Sequence, residues 1–388
     1  MSRKDRTGHE SGEQNDRQNR GIDRRAYLAG VGAAGLAATA GCVSSFGGGG
    51  GETPTINIIT WEEFTELKEP IENSLDVQLD ITTSTSSSEM FSGWNSGQDE
   101  QFDIAVPNNN FVPKMMDADL VAPVDKDAVS NWDSLYDKFH QFADNQFMRD
   151  GDHHGVPIRF GWYGYGYDTR NVPEHEPSYK ILFEEDYVDA DLDEKIIMYE
   201  DYFKTLGATA LYLGYQDAFE GSRVTLSESQ IEEVKNTLID QKSRLQGYIA
   251  SDPTYIKSFG QGDFLVGHSG RNEIVEMWSD GEDWPGYAAP KEGSLAWFES
   301  AVVSKKSENK EMAWKVINEF VSAENGAALG KAGFSPSCNP ETQDNLTDEE
   351  NELFGAIDPS RLDAFIPFKA IDDKESQWQS AWEEIKAA

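Results

Sequence analysis

Ile56-Asn-Ile-Ile-Thr60 opens the globular part of the chain as a short β-type run. Two more runs follow: Val77-Gln-Leu-Asp-Ile81 alternates apolar and polar side chains, as a half-buried strand does, and Phe102-Asp-Ile-Ala-Val106 is mainly apolar. Between and after these runs, apolar residues recur at helical spacing, most clearly in residues 310–322. Strands that alternate with helices predict an α/β fold around a mostly parallel sheet.

One helix start can be predicted from two residues. Ser227 and Gln230 have the spacing of a capping box, in which each side chain bonds to the backbone N–H of the other residue. Ile231, Val234, Leu238 and Leu245 then recur on one face of the predicted helix. We therefore expect a helix to begin directly after Ser227.

The N-terminus has the composition of an export signal. A polar leader ends in the pair Arg24-Arg25, and an uncharged run rich in Ala and Gly follows up to Cys42. We expect residues 1–41 to be a twin-arginine lipoprotein signal, Cys42 to carry the lipid, and residues 42–53 to be a flexible Gly/Ser tether. This places the protein on the extracellular face of the cell membrane; an uncleaved anchor helix is the alternative.

Acidic residues dominate the chain, which has 388 residues and a formal net charge of −37. Such charge opposes compaction and self-association unless salt screens it, and the Debye length falls to about 3 Å at 1 M salt. The composition therefore predicts a halophilic protein. It also argues against nucleic-acid binding, which requires clustered Lys and Arg to neutralise phosphates.

Three motifs resemble chemical sites and fail on a required residue. Gly267-His-Ser-Gly270 lacks the last glycine of a nucleophile elbow, since Arg271 stands there. His153-His154 has no third ligand at metal spacing. The third motif has the acid spacing of a calcium-binding loop, at Asp189, Asp191, Asp193 and Glu200. Glu194, however, stands where a glycine must turn the chain. We expect no metal, no cofactor and no catalysis, with an extracellular hydrolase as the less favoured class.

Aromatic and polar side chains gather at the ends of the predicted strands. In open α/β sheets, ligands bind beyond the carboxyl ends of the strands. Each of these residues alone fits a core position better than a ligand contact, but together they predict a binding site. The candidates are Trp61, Phe64, Asn108, Asn110, Asp201, Trp297 and Glu299.

The order of these motifs resembles the extracellular solute-binding proteins of ABC importers, of the spermidine/putrescine-binding type. The resemblance runs from Thr55 to the C-terminus, and no single motif in it is specific. It is carried by Trp61-Glu-Glu-Phe64, Phe102 to Met116, Asp119 to Asp125, His154 to Pro157, Gly164 to Asp168, Lys291 to Ser300, and Gly333-Phe-Ser-Pro336.

The resemblance implies a two-lobed, periplasmic-binding-protein-like fold of type II, with crossing strands that form a hinge. Lobe 1 would comprise residues 54–159 and 300–333, and lobe 2 residues 160–299 and 334–388. The solute would favour the closed form, and a membrane permease would recognise that form. We expect a monomer, because one body docks on one permease. A sensory or adhesive surface protein of the same fold is an alternative.

The resemblance also implies how a polyamine would bind. Aromatic faces hold the alkyl chain and attract the ammonium groups, while carboxylates pair with the amine ends. The matching positions are Trp61, Phe64, Trp297, Glu299 and Asp201, and Phe334 is a further candidate contact. Lys204 and His268 depart from the residue types of the family at their positions, and Phe368 falls near the position of a polar contact in the family. A polyamine or related cationic amine is favoured; an amino acid or anionic solute, with Lys204 or Arg271 as counter-charge, is the alternative.

Overall fold

The three predicted N-terminal strands lie side by side near one end of a ten-stranded mixed sheet. The computed structural model describes residues 53–355 and 357–388. Its strands are β1 (Thr55–Thr60), β2 (Gln78–Thr83), β3 (Ile104–Ala105), β4 (Met148–Arg149), β5 (Asp152–His153), β6 (Val156–Asp168), β7 (Ile196–Tyr199), β8 (Leu245–Ile249), β9 (Val266–Gly270), β10 (Pro285–Ala288), β11 (Ser294–Val303) and β12 (Phe365–Pro367). The predicted signal, Cys42 and the tether up to residue 52 lie outside the described residues.

The helices cover the sheet and connect its strands. They are α1 (Lys68–Leu75), α2 (Ser87–Asn95), α3 (Val112–Asp117), α4 (Asp137–Gln146), α5 (Lys180–Phe183), α6 (Tyr202–Tyr212), α7 (Glu228–Gln241), α8 (Asp252–Gln261), α9 (Arg271–Ser279), α10 (Lys310–Phe320), α11 (Ala323–Gly333), α12 (Asp348–Phe354) and α13 (Glu375–Ala387). The predicted capping box at Ser227 is confirmed at the start of α7. Within the described part of the chain, no helix is long and apolar enough to cross a membrane.

The main path of the sheet runs β2-β1-β3-β11-β6-β9-β7-β8. β2, β1 and β3 are parallel to one another at one end, as are β8, β7 and β9 at the other. β11 and β6 are antiparallel to each other and join the two groups. These two long strands are therefore shared by both halves of the sheet.

Each half of the sheet has its own hydrophobic core. In β6 the first core ends at Trp162 and the second begins at Tyr163; in β11 the change falls between Leu295 and Ala296. A smaller third cluster includes Tyr255 and lies beside the second core. All described residues nevertheless belong to one compact unit. The lobe boundaries expected from the sequence stay a prediction, with β6 and β11 as the crossing strands.

The pairing of β6 with β11 contains one irregularity. Phe298 pairs with Phe160 but Ser300 pairs with Pro157, so β6 has one residue more than β11 between these pairs. Such a bulge bends a strand and changes the direction of a side chain. Here the extra residue places Ile158 and Arg159 opposite Glu299, where the candidate site begins.

Candidate functional site

A buried ion cluster lies at the bulge. Arg159 donates through Nε to Glu299 Oε2 (2.6 Å) and through Nη2 to Glu299 Oε1 (2.8 Å), and Nη2 is also 3.1 Å from Glu63 Oε1. Arg159 and Glu299 are each 3% exposed. Burial raises the pKa of Glu299 to about 7, although the guanidinium opposes this shift. Burial also acts against ionisation of Glu63, but Arg159 outweighs it and holds that pKa below its usual value.

Two aromatic rings flank this cluster. The Arg159 guanidinium carbon lies 5.8 Å from the ring centroids of both Phe64 and Trp297. Trp297 pairs with Gly161 across the strands, and a Cβ on Gly161 would lie 2.5 Å from the indole. The indole therefore rests directly on the β6 backbone. Since Trp297 is only half-buried, part of it remains open to a solute.

Further predicted residues lie at this end of the site. Trp61 is half-buried, and its indole N–H donates to Val106 O (2.7 Å). Asn108 forms an isolated β-bridge with Glu299. Asn110 is buried, and its Oδ1 has no hydrogen-bond partner among residues 53–355 and 357–388. The structure thus places Phe64, Asn108, Trp297 and Glu299 around one ion cluster, while Trp61 is held by Val106 at the end of the neighbouring strand.

Lys204 marks the other end of the site. The Asp201 carboxylate caps α6 by accepting from the backbone N–H of Lys204 (2.8 Å). The Lys204 ammonium lies 4.9 Å from the Tyr163 ring centroid and 4.5 Å from that of Tyr199. It forms no salt bridge with any residue that the structure describes. Burial acts to lower the pKa of Lys204, but Tyr163, Asp201 and Asp252 outweigh burial and raise it, so the ammonium stays charged.

His268 completes this end. It lies on β9, is fully buried, and has ring contacts with Tyr163 (5.5 Å) and Tyr199 (5.9 Å). Neither ring nitrogen has a hydrogen-bond partner in the described part of the chain. Burial, together with the Lys204 charge, lowers the pKa of His268 to about 3. The imidazole is therefore neutral at physiological pH, with a nitrogen that can donate and one that can accept.

The depressed pKa of His268 predicts a pH dependence of stability. The folded state keeps His268 neutral, whereas the unfolded chain protonates it below pH 6.5. The contribution of neutral His268 to the free energy of unfolding is therefore complete above pH 6.5 and is lost as pH falls toward 3. On acidification, we expect the free energy of unfolding to fall less steeply in His268→Gln than in the wild type. The two slopes should differ by about 1.4 kcal/mol per pH unit below pH 6.5. Chemical unfolding of both proteins from pH 8 to pH 4.5 measures the difference. Parallel profiles would contradict the prediction.

Phe334 lies between Gly333 and Ser335, and both of these residues adjoin the Arg159 guanidinium: Nη1 donates to Ser335 Oγ (3.4 Å), and a Cβ on Gly333 would meet the same Nη1. Phe334 follows α11 in a left-handed conformation (φ 51°) and packs on Phe354. Arg271 lies apart from the ion cluster. The Arg271 guanidinium lies 5.3 Å from the Trp162 ring and lines a separate cavity of about 180 Å³. Since Trp162 and Tyr163 are neighbours on a strand, their side chains point to opposite faces. Arg271 therefore lies behind β6, while Lys204 and His268 lie on the Tyr163 side.

The sequence prediction missed four contributors to the site. They are Glu63, Arg159, Tyr163 and Tyr199. One signal existed: Arg159 is a charged residue inside an otherwise apolar run, and a charge in a buried strand requires a partner. Across the described ranges, no group of three or more His, Cys, Asp or Glu could hold a metal ion.

Comparison with known proteins identifies one family. Residues 62–354 match the model of a family described as bacterial extracellular solute-binding protein. The putrescine-binding periplasmic protein SpuD of Pseudomonas aeruginosa is 23% identical, over 58% of this chain and 61% of its own length. The putrescine-binding periplasmic protein PotF of Escherichia coli is 21% identical, over 91% of this chain and 97% of its own.

A solved structure has the same fold. It is the spermidine/putrescine ABC transporter substrate-binding protein PotD of Streptococcus pneumoniae, with a TM-score of 0.68 and 19% identity. The match covers 86% of this chain and 98% of that one. The likeness confirms the two-lobed α/β architecture expected from the sequence.

Proposed function

Since this chain belongs to the bacterial extracellular solute-binding protein family, we propose that it is the substrate-binding component of an ABC importer. Like the other members of its family, it is a solute-binding protein and not an enzyme. A solute that contacts both halves of the sheet favours the form in which they are closed together, and a permease that recognises this form receives the solute. β6 and β11 would serve as the hinge.

The favoured solute is a polyamine or a related cationic amine. The observation that carries this proposal is the half-buried Trp297 indole beside a cluster in which two carboxylates, Glu63 and Glu299, share the single guanidinium of Arg159. When both carboxylates are ionised, they exceed the guanidinium by one negative charge, and an aromatic face attracts an ammonium group by about 0.5–2 kcal/mol. The similarity to putrescine-binding proteins supports the same class.

Ion pairs between the two halves would stabilise the closed form. Lys114 of α3 lies 2.5 Å from Glu375 at the start of α13, and Asp117 is 2.5 Å from Arg223. Tyr202 donates a hydrogen bond to the same Glu375 (2.7 Å). These contacts link the first half of the sheet to the helices of the second, close to the candidate site.

The setting of the protein is also a proposal. A twin-arginine signal over residues 1–41 would export the chain, and a lipid on Cys42 would anchor it to the extracellular face of the membrane. The body would act as a monomer in high salt, where its net charge of −37 is screened. Mass spectrometry of the protein from its native membrane would detect the lipid on Cys42; a mature chain that retains residues 1–41 would contradict cleavage.

Ligand-dependent unfolding tests the solute class. Thermal unfolding of the full-length chain is measured in about molar salt against putrescine, spermidine, amino acids, sugars and anions. A true ligand at one hundred times its Kd stabilises the folded state by about 2.7 kcal/mol. We expect the midpoint to rise with amines and not with sugars. No shift with any amine would overturn the amine proposal.

A further inference from the structure

One tripeptide of the chain has the sequence of a modification site. Asn345-Leu-Thr347 fits the pattern Asn-X-Ser/Thr, in which X is any residue except Pro, and no other tripeptide of the 388 residues does. This pattern is the acceptor for glycans attached to asparagine, which occur on the surface of exported proteins. Because the pattern is short, its place in the fold decides whether a glycan can be attached.

Asn345 is accessible in the folded chain. It is the last residue of a short 3₁₀ helix, Pro340–Asn345, that lies between α11 and α12, and it is exposed. Its carboxamide forms no hydrogen bond with any residue that the structure describes. Asn339, which directly precedes this 3₁₀ helix, is the contrast: it is 1% exposed, and its amide donates to Val321 O (2.9 Å). An enzyme can therefore take hold of the Asn345 carboxamide without breaking an existing contact.

The backbone presents both recognised side chains on one side. Leu346 (φ −117°, ψ 150°) and Thr347 (φ −70°, ψ 166°) are extended, and in an extended chain the side chains of residues i and i+2 point the same way. The Thr347 hydroxyl accepts from the backbone N–H of Glu350 (3.2 Å), which leaves the hydroxyl proton available for donation. A transferase can therefore contact Asn345 and Thr347 together.

Neighbouring side chains hold this extended segment in place. The Asn351 amide donates to Gln343 O (2.9 Å) and Leu346 O (3.3 Å), and the Glu350 carboxylate accepts from the backbone N–H of Thr347 (2.8 Å). A segment that is already ordered loses less conformational freedom when it binds a partner. The acceptor is therefore preorganised as well as exposed.

We propose that Asn345 carries an N-linked glycan. Asn345 Nδ2 attacks C1 of a sugar that is carried on a lipid phosphate: the C1–N bond forms, the C1–O bond to the phosphate breaks, the phosphate leaves with the electron pair, and the nitrogen gives up a proton. A membrane-bound transferase supplies the base for this proton and presents the lipid-linked sugar. The inference rests on the proposed function, because the exported chain is the one that meets such a donor at the extracellular face.

Glycopeptide mass spectrometry on the full-length chain from its native membrane tests the inference. We expect the peptide that contains Asn345 to carry the added mass of a glycan. Asn345→Gln removes the acceptor and Thr347→Asp removes the recognised hydroxyl, so both should abolish the added mass. Asp is as good an N-cap as Ser or Thr, so Thr347→Asp keeps the start of α12. Thr347→Ser is the matched control, which retains both the hydroxyl and the cap and should retain the glycan.

An unmodified Asn345 in protein from the native membrane would overturn the inference, and so would a glycan that persists in Thr347→Asp. Calorimetric titration of the same preparations with putrescine keeps this inference apart from the proposed function. Asn345→Gln should bind with the Kd of the wild type, because Asn345 lies outside the candidate site. An unmodified chain that binds an amine leaves the proposed function standing, whereas a glycosylated chain that binds no solute contradicts the proposed function alone.

Discussion

We expect Arg159→Met to lower the free energy of unfolding by about 3–5 kcal/mol. The methionine fills much of the arginine's volume but leaves Glu299 buried without its bidentate partner. Above its ordinary pKa, Glu299 must then either stay charged without a cation or hold a proton that the unfolded chain releases. The deficit relative to the wild type should therefore be larger at pH 8 than at pH 5.

A second substitution separates the missing partner from lost packing. In Arg159→Met/Glu299→Leu no carboxylate remains buried at the bulge, so much of the stability should return. Lys315→Met, which breaks an exposed ion pair with Glu311, is the control and should change stability far less. Guanidinium unfolding at fixed pH measures all three. A double variant as unstable as the single one would refute the account.

Gly161→Ala should impair both the fold and the binding of solute. The added methyl would lie 2.5–2.9 Å from three atoms of the Trp297 indole, so the ring must move away from the strand. Overpacking of this kind costs about 1–3 kcal/mol. Because the displaced indole no longer lies beside the Arg159 cluster, solute affinity should fall at least about tenfold, as when a hot-spot contact is lost.

Gly247→Ala is the matched control for this change. Gly247 also lies in a strand, β8, but a Cβ there meets nothing within 4 Å. Calorimetric titration and chemical unfolding of both variants give affinity and stability separately. If Gly161→Ala binds solute as tightly as Gly247→Ala, the Trp297 indole is not a contact surface for the solute.

Local signals in the sequence predicted elements well. The capping box at Ser227 depends on residues three apart, and the structure confirms it. The strand expected over residues 102–106 is shorter, Ile104–Ala105. The Asp103 carboxylate beside it accepts hydrogen bonds from the Asn57 backbone N–H (2.9 Å) and the Ser307 hydroxyl (2.5 Å). These partners are distant in sequence, so periodicity alone cannot reveal them.

The chemistry of the site depended on distant pairs. The resemblance implied that Glu299 would bind an amine directly, whereas its two oxygens already accept from Arg159, which lies 140 residues upstream. The sequence left Lys204 as an uncertain solute contact, because the residues that pack around it in the folded protein could not be predicted. Its position over Tyr163 and Tyr199 requires α6, β6 and β7 to meet, and only the assembled sheet specifies that.

The position of β11 in the sheet has a consequence for folding. β11 lies between β3 and β6, although β3 ends at Ala105, β6 ends at Asp168 and β11 begins only at Ser294. During synthesis β3 and β6 therefore wait as open edges, whose unpaired backbone groups can pair with other chains. Closing so long a loop is slow. The nascent chain is therefore more exposed to aggregation until β11 emerges and joins the two groups of strands.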